Sequence, residues 1–398
     1  MTGPMDGIRV VEMGFWVAAP SAACILADWG ASVIKIEPPE GDPFRGMGGA
    51  FAGPSANPPF EMDNRGKRSV ALDLATDEGR AIARRLIDQA DVFVSNVRPG
   101  SIDRLGLGYE TVRQTNPRLI YCQVTGYGPD TPDRDRAAYD IGAFWARAGV
   151  AASLAAPGLP YPQQRGGMGD HMTGLGAAGA VSAALFVRER TGEGQRVAIS
   201  LLRVGAYMLA WDANTVLRTK NPIQPYDRFH ALNPIIDSYQ AGDGRWFWLL
   251  LLQGDRHWPD LLRAIGRADL GDDPRFANMM GRAMNSQALV EALDAEFAKR
   301  PLAEWGEIFD KENVWWAPVQ TVAEMVEDPV AKAAGVLIDI ETPDGPQTTL
   351  ATPVDFYGTP CKARGPTPEL GQHTEEVLLE LGYDWEGIVA LKAKGAIP

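Results

Sequence analysis

The sequence predicts an α/β protein built on a doubly wound, largely parallel sheet. Three observations carry that expectation. Short apolar runs of strand type alternate with helical patterns through the first third of the chain. The 398 residues exceed one ordinary domain, so two domains are expected. Hydrophobic residues make up 45% and charged residues 22%, a globular balance that can bury a large core without disulfides or metal.

The elements follow in order. Ile8 to Met13 reads as a strand, Ala18 to Trp29 as a helix with Pro20 and Ser21 in its first turn and Gly30 at its end, and Ser32 to Ile36 as the next strand. These form a compact βαβ unit. Arg68 to Leu74 alternates as a strand, and Thr76 caps a helix running to about Ala90. Strands at Asp91 to Ser95 and Leu119 to Val124 flank a loop and a short helix near Tyr109 to Asn116. Residues 127–169 are rich in Pro, Gly and Ala and give no clear period. A small-residue helix from Met172 to Arg190 leads through Thr191-Gly192-Glu193-Gly194 into a strand at Arg196 to Ser200, and a long helix is expected from Leu201 to about Leu217. Composition then shifts. Residues 221–335 mix a strand pair around Gly242-Asp243-Gly244 with amphipathic helices and read as a second domain. From about Val336 the texture returns to strand and loop, closing with a helix at Thr374 to Leu381.

Several function classes start low. A net charge of −13 disfavours a general nucleic-acid binder, and an anionic ligand would need a local basic patch. The apolar stretch Trp246 to Leu252 is too short to span a bilayer, and no basic-then-apolar leader opens the chain, so neither membrane insertion nor export is expected. Cys24, Cys122 and Cys361 are few, odd and far apart, which fits a reducing cytoplasm. Four scattered histidines give no metal-ligand spacing, and no metal is expected.

Several blocks stand in a familiar order: "GIRVVEM…ILADWGASVIKIEPPEGDPFRG", "NRGKRSVALDL", "DVFVSNVRPGSIDRLGLGYE", "LIYCQVTGYGP", "RTGEGQRVAISLL", "DPRFANMMGR" and "LGQHTEEVLLELGY". Together they resemble family III CoA-transferases of the CaiB–BaiF superfamily, the relatives of formyl-CoA transferase and α-methylacyl-CoA racemase. The resemblance covers nearly the whole chain. It implies a Rossmann-like large domain from residues 1–220 and 336–398, a smaller inserted α+β domain at 221–335, and a homodimer of interlocked subunits. It also implies acyl-CoA and a small carboxylic acid as substrates, with no permanently bound cofactor.

Asp170 stands in "QQRGGMGDHMTGLG", just before a predicted helix. By its residue type alone it reads as an N-cap. A carboxylate can also attack a thioester, small neighbours admit a pantetheine arm, and helix N-terminal amides stabilise developing negative charge. The resemblance makes Asp170 the nucleophile, passing through an aspartyl–acyl anhydride and then an aspartyl-CoA thioester. His171 reads as a helix-start residue first and an active-site acid second.

CoA's phosphates call for cations, for which Arg45, Lys67, Arg68, Arg98 and Arg104 are available. By resemblance, Arg104 and Asn96 match CoA-contacting positions, Val17, Ala18 and Leu72 match CoA-lining ones, and Tyr139 lies near the thioester. The loop of Asn96 to Gly100 follows a strand, where ligands of open α/β sheets bind. Two family cations are replaced, by Pro38 and Ala137. The racemase branch places a histidine and Asp where this chain has Tyr139-Asp140. Tyrosine, with a reference pKa of about 10, is a poor base near neutrality, which disfavours racemisation. A racemase or isomerase and a catalytically silent CoA-binding protein are the alternatives. The family's glycine loop falls at Leu249 to Asp255, here "LLLLQGD", leaving Gln253-Gly254 as its polar part. With Phe15-Trp16, Trp246-Phe247-Trp248 and Trp315-Trp316, this points to an apolar or aromatic acid rather than oxalate.

Overall fold

The structure is a computed structural model that describes residues 3–50, 57–156, 158–343 and 345–398. Contacts divide the chain into two compact units: residues 1–151, 163–221 and 333–398 in one, and 152–162 and 222–332 in the other.

The first unit holds a six-stranded parallel sheet. Its strands are β1 (Arg9–Met13), β2 (Ser32–Glu37), β3 (Arg68–Ala71), β4 (Val92–Ser95), β5 (Ile120–Thr125) and β6 (Gln195–Ser200). The order is β3-β2-β1-β4-β5-β6, so the winding reverses between β1 and β4. Ligands of open α/β sheets bind at the carboxyl ends of strands at such a reversal. Met13 pairs with Ser95 there, and the loops that follow them leave side by side.

Helices α1 (Ala18–Asp28), α2 (Pro58–Asn64), α3 (Asp77–Asp88), α4 (Pro99–Arg104), α5 (Met168–Thr191), α6 (Leu201–Met208) and α7 (Ala210–Thr219) belong to this unit. On one face of the sheet α1 and α5 pack through small residues, among them Ala22, Ala23, Ala177 and Ala178. On the other, Ile82 and Leu86 of α3 meet Val377, Leu378 and Leu391 from the chain's end. The carboxyl-terminal segment is stitched to β3: Thr374 Oγ1 accepts from the Ala71 amide at 3.0 Å.

Two helical expectations are corrected. The helix expected from Leu201 to about Leu217 breaks at Leu209 into α6 and α7, and Trp385–Ala393 adds a second closing helix beyond Thr374–Glu380. Helical period alone does not reveal a break where no Gly or Pro marks it.

The second unit carries an antiparallel sheet of β7 (Ser238–Gln240), β8 (Trp246–Leu249) and β9 (Trp316–Pro318). Around it lie α8 (Gly254–Ile265), α9 (Ser286–Phe297) and α10 (Leu302–Glu312) over an aromatic core of Tyr239, Phe247, Phe297, Trp305 and Phe309. No helix among the described residues is long and apolar enough to cross a membrane.

A buried ion cluster ties β1 and β2 to the start of β3. Glu12 of β1 accepts from Lys35 Nζ at 2.8 Å and Lys67 Nζ at 2.6 Å, all three side chains fully enclosed. Lys35 also donates to Asp42 at 3.1 Å and to the Gly14 carbonyl at 2.7 Å, while Lys67 reaches the Pro20 carbonyl and Asn64. Burial pulls the Lys35 ammonium down, but Glu12, Asp42 and Glu37 outweigh it and leave it raised; at Lys67 burial prevails. Removing one partner of a buried pair is far more costly than the pair is worth. Glu12→Gln is therefore expected to destabilise the protein by about 3 kcal/mol or more, read as a lowered thermal midpoint. An unchanged midpoint would show that the cluster does not hold the fold.

Candidate active site

The site grows from the start of α5. Gly167, its N-cap, has φ 77°, a left-handed turn that glycine adopts without strain. Asp170 occupies the third helical position, because α5 begins at Met168 and not at Met172. The expectation of a pre-helical aspartate is thus corrected: Asp170 lies inside the first turn, among the free helix N–H groups. Glycines mask this start, since they are weak helix formers. They are present because neighbours are close. A Cβ on Gly169 would lie 2.5 Å from the Phe144 ring, and one on Gly174 would lie 2.1 Å from Ser21 Oγ.

Phe144 belongs to a wide helical turn, Ile141–Arg147, of the kind that often marks functional sites. Asp140 caps it, accepting from the Ile141 amide at 2.8 Å, and its other oxygen accepts from Gln164 Nε2 at 2.9 Å. Burial and then the charge of Asp140 push the Asp170 carboxyl up to about 7, with a further push from Asp63 and opposition from His171. His171 Nε2 lies 3.0 Å from Asp63 Oδ1. Burial alone would lower this imidazole, but its bond to Asp63 and the charges of Asp63 and Asp170 leave it raised. A carboxyl that exchanges its proton near neutrality, at a helix N-terminus, is equipped for nucleophilic attack on a carbonyl.

The loop after β1 forms the opposite wall. Trp16 has φ 64°, an uncommon conformation for a bulky residue, and its amide donates to Asp42 Oδ1 at 3.2 Å. Its ring meets Tyr139 edge-on at 5.6 Å, and Tyr139 is 60% exposed. Val17 caps the N-terminus of α1 and lies against the Gly167 turn, 3.8 Å from where a Cβ would stand. The strain at Trp16 is held by the buried cluster through Asp42.

The structure thus sets Val17, followed by Ala18 at the start of α1, against the Asp170 turn, and Tyr139 against Trp16. Asn96 holds the same wall from β4: its amide group both donates to the Phe15 carbonyl at 2.7 Å and accepts from the Phe15 N–H at 2.9 Å. Arg98 and Arg104 are exposed at either end of α4, and Arg104 donates to Ser101 Oγ at 2.9 Å. Arg45 is committed internally, paired with both oxygens of Glu37 and stacked on Phe60. Lys67 is enclosed in the ion cluster, and Arg68 pairs with Glu376 and Glu380. The Leu72 side chain is fully enclosed in the core.

Gln253 belongs to the second unit, where it is the N-cap residue of α8 and accepts from Arg256. The segment before it is mixed: Leu249 and Leu251 are buried, Leu252 is 72% exposed. Phe247, expected among acyl-lining aromatics, is instead a core residue of this unit, because the strand alternation turns it inward between exposed Trp246 and Trp248.

Asp63 and Gln164 were not legible as site residues. Asp63 lies 108 positions from its partner, and no local pattern links the two. Among the described residues no cluster of ligands could hold a metal ion.

A family model described as CoA-transferase family III matches residues 5–374. The chain is 34% identical over 388 residues to an (R)-2-hydroxy-4-methylpentanoate CoA-transferase of Clostridioides difficile, covering 96% of this chain and 97% of the relative. It is 31% identical to a cinnamoyl-CoA:phenyllactate CoA-transferase of Clostridium sporogenes, covering 98% and 96%. A crystal structure of a CAIB/BAIF family protein from Brucella suis superposes with a TM-score of 0.84 at 33% identity, covering 96% of this chain and 100% of that one.

The raised Asp170 carboxyl has a stability consequence. The fold favours the protonated acid, so the wild type loses stability as pH rises from the ordinary carboxylate range toward about 7. Asp170→Asn cannot ionise. Its gain in thermal midpoint over the wild type is expected to widen between about pH 4 and pH 7 and stay level above. A gain that does not vary with pH would contradict the shift.

Proposed function

The chain belongs to CoA-transferase family III and transfers CoA between acids, and we propose that it does so through a covalent aspartyl-CoA on Asp170. The observation that carries this reading is the Asp170 carboxyl itself, in the first turn of α5 with its pKa raised to about 7. Its ionised form attacks the thioester carbonyl of the donor, forming an aspartyl–acyl anhydride and releasing the CoA thiolate. The thiolate attacks the aspartyl carbonyl and expels the donor's carboxylate, leaving aspartyl-CoA. The acceptor's carboxylate attacks that thioester, and the thiolate then takes the acceptor's acyl group and frees Asp170. Amides of the α5 N-terminus stabilise the oxyanions. Val17, Ala18, Asn96 and Tyr139 shape the pantetheine end, and Arg98 and Arg104 meet the phosphates. Arg45 and Leu72 support the wall from within.

An apolar or aromatic acid fits best. The Trp16–Tyr139 pair offers an aromatic surface beside the Asp170 turn, and relatives named for 2-hydroxy-4-methylpentanoate and phenyllactate act on acids of that kind. The working form is a homodimer in the cytoplasm. Helix α7 has no buried residue, and Tyr207 and Trp211 are 83% and 92% exposed, which supports a covered face there.

Asp170→Ala is expected to lower transfer by about a thousandfold or more, measured by chromatography of acyl-CoA products. Persistent transfer would overturn the mechanism, and α-proton exchange in deuterated water without transfer would favour a racemase. In a panel of 2-hydroxy-4-methylpentanoate, phenyllactate, glutarate, mesaconate, oxalate and formate with succinyl-CoA as donor, the first two are expected to lead; preference for oxalate or formate contradicts the substrate class. Light scattering should give a dimer, and a monomer at micromolar concentration would contradict that assembly.

A further inference from the structure

The acceptor must bring a carboxylate to a place where two others, Asp140 and Asp63, already act on Asp170, and charge of that sign repels an incoming anion. Among the described residues, His171 is the one cation that acts on Asp170.

Its placement is specific. Asp63, on α2, is 3% exposed and holds His171 Nε2 at 3.0 Å, while the imidazole side chain is 47% exposed. The ring is therefore anchored on its inner side by a buried acid and open to solvent elsewhere. It lies over the Gly167 turn: a Cβ there would stand 3.1 Å from Nδ1 and Cε1, so the missing side chain makes room for the ring. The His171 amide also bonds the Gly167 carbonyl at 2.8 Å, tying the ring to the turn that carries Asp170.

We propose that His171, kept as an imidazolium by Asp63, is the cation that admits the acceptor's carboxylate. The inference rests on the aspartyl-CoA reading. At that stage Asp170 is an uncharged thioester, and the imidazolium has lost its neighbouring anion just when a new carboxylate must approach. No bond is made or broken by His171; it supplies charge. The charged groups that act on it are Asp63 from α2 and Asp170 from its own helix, and Asp140 faces Asp170 from the start of the wide turn.

The test is steady-state kinetics of His171→Gln and Asp63→Asn, using succinyl-CoA and whichever panel acid turns over fastest. In His171→Gln the acid's KM is expected to rise about tenfold or more beyond any change in the acyl-CoA's KM. In the wild type the acid's KM should rise with pH as the imidazolium loses its proton. Asp63→Asn should move that rise to lower pH, and His171→Gln should abolish it. Equal changes in both KM values, or none in the acid's, would overturn the inference and leave His171 structural. Absence of a hydroxylamine-trapped Asp170 adduct in the wild type would instead overturn the aspartyl-CoA reading beneath it.

Discussion

Glu12 is the point on which the site hangs. Its two carboxylate oxygens each take one buried ammonium, Lys35 from β2 and Lys67 from the start of β3. Those lysines then reach outward, Lys35 to the Gly14 carbonyl and Asp42, and Lys67 to the Pro20 carbonyl and Asn64. The loop between β1 and α1 is thereby pinned at both ends in a conformation that Trp16 would not adopt alone. A buried cluster of this kind contributes less to net stability than its short distances suggest. Its value is geometric, since it fixes where Trp16 and Val17 stand relative to the turn before α5.

The Asp170 turn shows the complementary constraint. Helix propensity is given up at Gly167, Gly169 and Gly174 so that Phe144 and Ser21 can approach the backbone closely. The carboxyl is then partly removed from water and set near Asp140, which disfavours its ionised form. Stability is lost at this carboxyl once it ionises. His171 counters that loss with a charge of the opposite sign, while Asp63 adds to it.

Much of the architecture was legible because local pattern and topology agree. Thr76 before Asp77 and Glu78 announced α3, and the structure shows its hydroxyl accepting from the Gly79 amide. The βαβ alternation placed the parallel strands to within two or three residues. The small-residue helix was legible as a helix but not in its first turn, because glycines there serve packing. Asp170 stood out only through the motif around it. Asp63, Gln164 and the Glu12 cluster were hidden, since each depends on residues far apart in the chain, and Lys67 looked like a cation available to phosphates until the fold enclosed it. Leu72 and Arg45 show the same limit from the other side: the resemblance suggested a ligand contact for the first and residue type one for the second, while packing sets them in the core and against Glu37.

The central claim is that Asp170 itself carries CoA. Peptide mass spectrometry of the wild-type protein, incubated with acyl-CoA and quenched in hydroxylamine, tests it directly. The account predicts a hydroxamate on the peptide containing Asp170, formed only when acyl-CoA is present and absent from Asp170→Asn. An unmodified Asp170 during active transfer, or a label on another residue, would contradict it.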